Sequence, residues 1–390
     1  MTTLSPTSAA GIGAGVAVLS TGDVRVPVYP AAAALPALDD QPYPPPAGQD
    51  GLRAAIAAYA TASGTATIRP EQVLVAPGAR AAILSVLAGA LGDRREVLVP
   101  GPYWASYPTL IKAAGGTAVL VPGQVGVGAP SIGALEAALT GRTGALVLNS
   151  PRNPDGSVIP AERLRELSDW AEARGLLLLF DQVYRGVPIG DGPAPSVLGL
   201  GPELPAHCVV VDGLTKSHAL AGLRIGWAIA AGPVLDAATA HASHVIGGTG
   251  STAQRIALAV LGGEPGSDTG GGPGGEPGTQ PDRDDRRARL GSALEGNLKA
   301  VLERLSGIPG VSCPRPEGGI FAFPDLRGWL AEHAPPGARA DLTGWLRDEH
   351  RVAVVDGKAF GAPGHVRLSF ALPEEDLLTG VDRLRTALTG

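Results

Sequence analysis

VVVDGLTKSHALAGLRIGW, residues 209–227, runs from an aliphatic stretch directly into a small polar turn that carries a lysine, with an arginine eight residues further on. A short apolar run bounded by Gly213 reads as a buried strand, and the residues after it read as the loop at that strand's carboxyl end. Upstream, runs of the same kind recur at 73–75, 96–99, 117–121, 145–149 and 176–181, with 208–212 the last of the series. Helical patterns fall between them, such as 79–90 and 161–173, the latter starting beside a proline suited to a first turn. From about residue 50 to 230 this alternation predicts an α/β domain, a mostly parallel sheet wrapped by helices.

Beyond that region the pattern changes. Residues 262–285 (GGEPGSDTGGGPGGEPGTQPDRDD) hold too little apolar surface to offset the entropy of ordering and are read as a surface loop. A charged helix is expected over 286–305, then a smaller α+β region with strands at 320–323, 352–355 and 366–370. The domain expectation is therefore an N-terminal arm and small-domain segment over 1–42, a large domain over 43–285 and a small domain over 286–390.

Composition narrows the function. A net charge of −6 without a basic stripe gives no ground for nucleic-acid binding. The longest uninterrupted aliphatic run, 176–180, is far shorter than the roughly 20 residues that span a bilayer, so no membrane partner is expected. The apolar N-terminus has no Lys or Arg before Arg25 and is not read as a secretory signal, and Cys208 and Cys313 lack CxxC spacing. A reducing cytoplasm is the expected location and no metal site is predicted. Gly11, Gly13 and Gly15 imitate a dinucleotide loop, but the spacing is GxGxG and no strand precedes it. The chain has only four lysines, Lys112, Lys216, Lys299 and Lys358, which makes a lysine at a strand end informative, since Arg cannot form a Schiff base.

Four segments carry chemistry. In the opening stretch, Lys216 follows a strand, Thr215 adds a hydroxyl, and Arg224 can bind a phosphate dianion while its field favours a partly deprotonated lysine. In GLLLLFDQVYRG, Asp181 stands at a strand's carboxyl end, where open α/β sheets bind ligands, and Tyr184 lies three residues on. A carboxylate there can keep a pyridine nitrogen protonated, the requirement for pyridoxal 5'-phosphate to act as an electron sink. In LVLNSPRNPDG, Asn149 and Asn153 flank a proline-stiffened turn, and Asn153 can donate to a phenolate oxygen. In VLVAPGARAAI, Gly78, Ala79 and Arg80 open a helix whose free N–H groups can hold a phosphate.

Together, in this order and spacing, the four segments resemble fold-type I pyridoxal-phosphate enzymes, specifically the class I/II aminotransferase family that includes aspartate aminotransferases. The resemblance runs over nearly the whole chain. It implies a large domain built on a seven-stranded sheet, a smaller α+β domain formed by the N- and C-terminal parts, and a Schiff base between the cofactor and Lys216. Asp181 and Tyr184 would join Lys216 as catalytic residues. In GPYWASYPTL it places Trp104 over the cofactor ring. In PYPPPAGQDGL it makes Tyr43 the tyrosine that reaches the neighbouring subunit's phosphate, so a homodimer with shared sites is implied. In PGHVRLSFA it gives Arg367 the substrate α-carboxylate, with Asn153 beside it, and in LSTGD it places Gly22 at the substrate site. The expected reaction moves an amino group from an amino acid to a 2-oxo acid.

Three departures stand out: Asp155 where Thr is usual, Gln182 where Glu is usual, and DVRVPVYP after Gly22. With them, diversion of the same cofactor chemistry to elimination, replacement, cyclisation or oxidation stays open, because fold alone does not fix reaction type. A cofactor-sensing regulator or idle scaffold is disfavoured: the segment before Tyr43 leaves no room for a DNA-binding domain, and Lys216 and Asp181 are both retained.

Overall fold

The computed structural model describes residues 15–26, 43–187, 189–190, 192–262 and 280–390, of which 280–287 as backbone. Gly11, Gly13, residues 27–30 of the stretch after Gly22 and residues 263–279 of the glycine-rich segment lie outside the described residues.

Among the described residues twelve strands appear in chain order: β1 (Ala17–Val18), β2 (Val73–Ala76), β3 (Glu96–Pro100), β4 (Thr117–Val121), β5 (Thr143–Asn149), β6 (Leu177–Asp181), β7 (Cys208–Gly213), β8 (Gly226–Ile229), β9 (Phe321–Ala322), β10 (Val352–Ala353), β11 (Val355–Asp356) and β12 (Val366–Ser369). Seven of them form one sheet in the order β2-β8-β7-β6-β5-β3-β4, and only β8 runs against the rest. The near-continuous apolar runs follow from burial on both faces. Along β6, Leu178 and Phe180 enter one apolar cluster and Leu179 the other, as the two-residue period of a strand requires. Helices Asp50–Ala62, Ala161–Ala173 and Ser251–Leu261 supply side chains to the first cluster, and Ala79–Ala90 and Gly232–Val245 to the second.

β8 is the strand that periodicity did not single out, because its residues sit inside the stretch quoted for its lysine. It returns beside β7 after Arg224, whose φ of 56° lies in the left-handed region, and sets Gly226 opposite both Gly213 and Ala76. Those contacts need glycine: a Cβ on Gly226 would stand 2.3 Å from the backbone nitrogen of Ala79.

A third apolar cluster joins Leu290, Leu294 and Leu298 of helix Gln280–Leu305 to Leu377, Val381 and Leu384 of helix Glu374–Thr389, with Leu19 and Val24 from the N-terminal segment. β1 pairs parallel with β10, and β12 pairs antiparallel with β9 and β11, so the segment 15–26 joins the C-terminal part of the chain. One expectation is corrected. Residues 280–285 are helical rather than loop, because Pro281 and the aspartates at 282, 284 and 285 are residue types that favour a helix start. Among the described residues no helix is long and apolar enough to cross a membrane.

Candidate active site

The site lies where β5, β6 and β7 end side by side. Asn149 and Asp181 are the last residues of β5 and β6, and the short helix Leu214–Ser217, which carries Lys216, begins directly after β7. Asn149 ties two of these ends together. Its Nδ2 donates to the Asp181 carbonyl at 2.9 Å, and its Oδ1 accepts the Asn153 N–H at 2.7 Å.

Asp181 is 3% exposed, and burial pushes its carboxyl up to about 6. The Tyr107 hydroxyl, donating to Oδ2 at 2.7 Å, the Val183 N–H and the positive charge of Lys216 all pull the other way. Tyr107 is a functional contact that the sequence reading passed over in favour of Trp104, three residues earlier. The Trp104 ring meets the Tyr107 ring edge-on at 5.2 Å, so the two aromatics form one wall running to the carboxylate.

Burial lowers the Lys216 amine to about 8, Asp23 counters it, and Arg367 and Arg224 add to the lowering. Its Nζ donates to the Gly22 carbonyl at 2.6 Å, which brings the N-terminal segment to the lysine as expected. Near neutrality such an amine exchanges its proton readily, the property a nucleophilic and proton-carrying lysine needs.

Arg367 on β12 is 1% exposed and lies between the Phe321 and Phe360 rings, with its guanidinium carbon 4.0 and 4.9 Å from the ring centres. Nη1 donates to Asn153 Oδ1 at 2.9 Å and Nη2 to the Ser20 carbonyl at 3.3 Å, while Nε is buried with no partner. Burial lowers its pKa to about 10. A dry cation with an unused donor is prepared for an anion. The two phenylalanines were not identified from sequence, since in short apolar runs they read as core. Tyr184 is buried beside this pair, and burial pushes its hydroxyl well up although Arg367 and Asn153 oppose the shift.

At the other end, Gly78 opens helix Ala79–Ala90 with φ 91° and no side-chain cap. The first N–H groups of the helix are therefore available to an anion. The φ of 91° is what favours glycine there, and the Arg224 guanidinium comes up against the turn, its Nη2 2.3 Å from where a Cβ would stand. Burial and neighbouring Arg224 lower the pKa of Arg80, whose guanidinium lies 5.1 Å over the Trp104 ring. Thr215 is half-buried beside Lys216.

The fold thus draws together Gly22, Asn153, Asp181, Tyr184, Lys216 and Arg367 at one end and Gly78, Ala79, Arg80, Trp104 and Arg224 at the other. It does not draw in Tyr43, which is 96% exposed on its own chain. The unusual Asp155 is explained by a partner: Arg152 and Asp155 form a buried ion pair, and both reach the 124–126 turn, through Gln124 and Gly126. That departure fastens a loop.

These features suit pyridoxal phosphate. The glycine-opened helix start with Arg224 would suit its phosphate, the buried Asp181 carboxylate its ring nitrogen, and Lys216, its pKa lowered, its aldehyde. The fold and this constellation define a fold-type I pyridoxal-phosphate enzyme. The family model for aminotransferase class I and II matches residues 16–384, and the chain belongs to that family. It is 35% identical to an aspartate aminotransferase of Streptomyces avermitilis, over 97% of this chain and 89% of that protein. It is 33% identical to one of Geobacillus stearothermophilus, over 96% and 90%. Among solved structures, an aspartate aminotransferase of Thermotoga maritima superposes with a TM-score of 0.80 at 29% identity, covering 96% of this chain and 92% of that one. The Thermus thermophilus aspartate aminotransferase with maleate gives 0.76 at 30% identity, over 89% and 84%. The protein is a pyridoxal-phosphate-dependent aminotransferase.

Proposed function

We propose that the chain transfers the amino group of an acidic amino acid, aspartate first, to a 2-oxo acid, working in the cytoplasm as a homodimer. One observation carries the assignment of roles. The Lys216 amine sits half-buried just beyond a strand end, donating to the Gly22 carbonyl, with desolvation lowering its pKa to about 8, Arg367 and Arg224 adding to the lowering, and Asp23 and Asp181 opposing it. When bound, pyridoxal phosphate supplies the electron sink that lets a Cα–H bond break.

The residues do the rest. The Gly78–Arg80 turn and Arg224 would hold the cofactor phosphate, Trp104 would cover its ring, and Asp181 would keep its ring nitrogen protonated. Asn153 and Tyr184 address the ring oxygen. Arg367 grips the substrate α-carboxylate through its unused Nε and its Nη atoms, which fixes the Cα–H bond toward Lys216. Lys216, as the base beside that bond, would take up the proton from the substrate Cα. The similarity to aspartate aminotransferases is what supports an acidic donor.

Absorbance of the purified protein tests this. Aspartate alone should convert the bound cofactor to its amine form without release of ammonia. Ammonia release with the aldehyde form retained would overturn the transfer reading. Lys216→Ala should lose the lysine-linked absorbance and slow turnover by about 10³-fold.

A further inference from the structure

Behind Asp181, on the other face of the sheet, lies a second buried carboxylate that the proposed mechanism does not use. Asp212, the penultimate residue of β7, is 6% exposed and sits opposite Trp227 in the β7–β8 register. Its Oδ2 accepts from Gln182 Nε2 at 3.0 Å and its Oδ1 from the Gly213 N–H at 2.7 Å. Gln182 is the first residue beyond β6. Its N–H donates to the Val211 carbonyl at 2.9 Å, and its Oε1 accepts the Ser196 hydroxyl. Ser196 in turn accepts the Leu198 N–H at 3.1 Å. Every polar atom of the Gln182 side chain and both oxygens of Asp212 are thus engaged between the strand end that precedes Lys216 and the turn that follows Asp181.

A buried ionised acid is costly unless its field is used or its proton retained. At position 182, where relatives usually carry the acid, this chain has the amide, and position 212 supplies the carboxylate on the other side of the same hydrogen bond. We propose that Asp212 is a positioning residue: through Gln182 it fastens the turn after Asp181 to the strand end that carries Lys216, and its negative charge behind Asp181 favours the protonated form of the cofactor. The groups facing it are Gln182 and Ser196 beyond β6, Gly213 on its own strand, Arg185, whose charge opposes retention of the proton, and Asp181, whose charge favours it. Burial is the largest influence and brings the Asp212 carboxyl up to about 7.

The inference rests on the cofactor assignment, and the experiment separates the two. The pH midpoint of the visible absorbance change is measured on the cofactor-loaded wild type, on Asp212→Asn, and on the exchange variant Gln182→Glu/Asp212→Asn, which restores one acid and one amide to the pair. Asp212→Asn should move the midpoint down by about 0.5 pH unit or more, because an anion that favours the protonated cofactor is gone. The exchange variant should bring it back. In the apoprotein, urea midpoints give a second readout. A carboxyl whose folded pKa lies above its unfolded value makes stability fall as pH rises from about 4 to about 7, so Asp212→Asn should flatten that fall. A coloured wild type whose Asp212→Asn midpoint does not move, or whose exchange variant stays displaced, overturns the proposal and leaves the cofactor reading intact. A colourless wild type overturns the cofactor reading itself, and this proposal with it.

Discussion

At the scale of single residues, the site is governed by which charges are buried together. Asp181 lies among apolar side chains yet must be an anion when it faces a protonated ring nitrogen. The three groups that hold it down are the Tyr107 hydroxyl, the Val183 N–H and Lys216. Removing the first has a signed consequence. A hydrogen bond to a charged group contributes about 1.5 kcal/mol, close to one pH unit. In Tyr107→Phe the Asp181 carboxyl should therefore rise from about 6 toward 7, and the acid limb of the pH profile of kcat/KM should move to higher pH by about one unit. An acid limb that stays in place would show that Asp181 does not set it. Tyr107 also marks where the sequence stopped being informative. A tyrosine at the start of a helix, in a stretch with Trp104, reads as packing, and only the fold shows that its hydroxyl ends at a residue 74 positions away. Lys216 and Asp181 stood out because each follows or ends an apolar strand, whereas Arg367 was singled out only through the family resemblance of its segment. Asp212 did not stand out, because an acid after an aliphatic run looks like the start of a turn until Gln182 is seen across from it.

At the scale of elements, long strands were readable and short ones less so. β2, β3, β5, β6 and β7 announce themselves as mostly apolar runs of four to seven residues, since burial on both faces removes polar alternation, and the more exposed edge strand β4 is legible from its own run of aliphatic residues. β8 has a tryptophan and two small residues, and its identity comes from its neighbours: it is threaded between β2 and β7 and closes against the Gly78 turn. This makes Gly226 a structural hinge between sheet and phosphate cradle. A Cβ there would stand 2.3 Å from Ala79 N and 2.6 Å from the Gly78 carbonyl carbon, both backbone atoms that cannot swing aside. Gly226→Ala should lower stability by about 1–3 kcal/mol, as overpacking does, and weaken pyridoxal phosphate binding at least tenfold because the helix start is displaced. Gly222→Ala, where nothing lies within 4 Å of the new Cβ, is the control and should leave both unchanged. Thermal unfolding and cofactor titration of the two variants decide it: equal behaviour would remove the hinge role.

At the scale of the whole molecule, the segment 15–26 joins the C-terminal part of the chain, and this is what delivers Arg367 to a site built on the large sheet. We read the chain as a large cofactor-binding domain and a small domain made from its N- and C-terminal parts, with the long helix Gln280–Leu305 beginning close to the boundary between them. The arrangement leaves one expected ligand unaccounted for. Tyr43 stands 96% exposed among the described residues, an unusual position for a large aromatic ring. A second copy of the chain explains it, if its phosphate cradle lies across the interface from that hydroxyl, as the family resemblance implies. The protein should then sediment at twice its 39.3 kDa chain mass. Tyr43→Phe should keep the dimer and the apoprotein's stability while weakening pyridoxal phosphate binding by roughly 1 kcal/mol, about fivefold, since it removes one hydrogen bond and no packing within the subunit. Mixing Tyr43→Phe with Lys216→Ala chains gives the decisive arm. In the mixed dimer, each Tyr43 hydroxyl present serves the site whose lysine is intact, so cofactor affinity at that site should return to the wild-type value. Affinity that stays low in the mixed dimer would mean that Tyr43 acts within its own subunit, and the shared site would have to be abandoned.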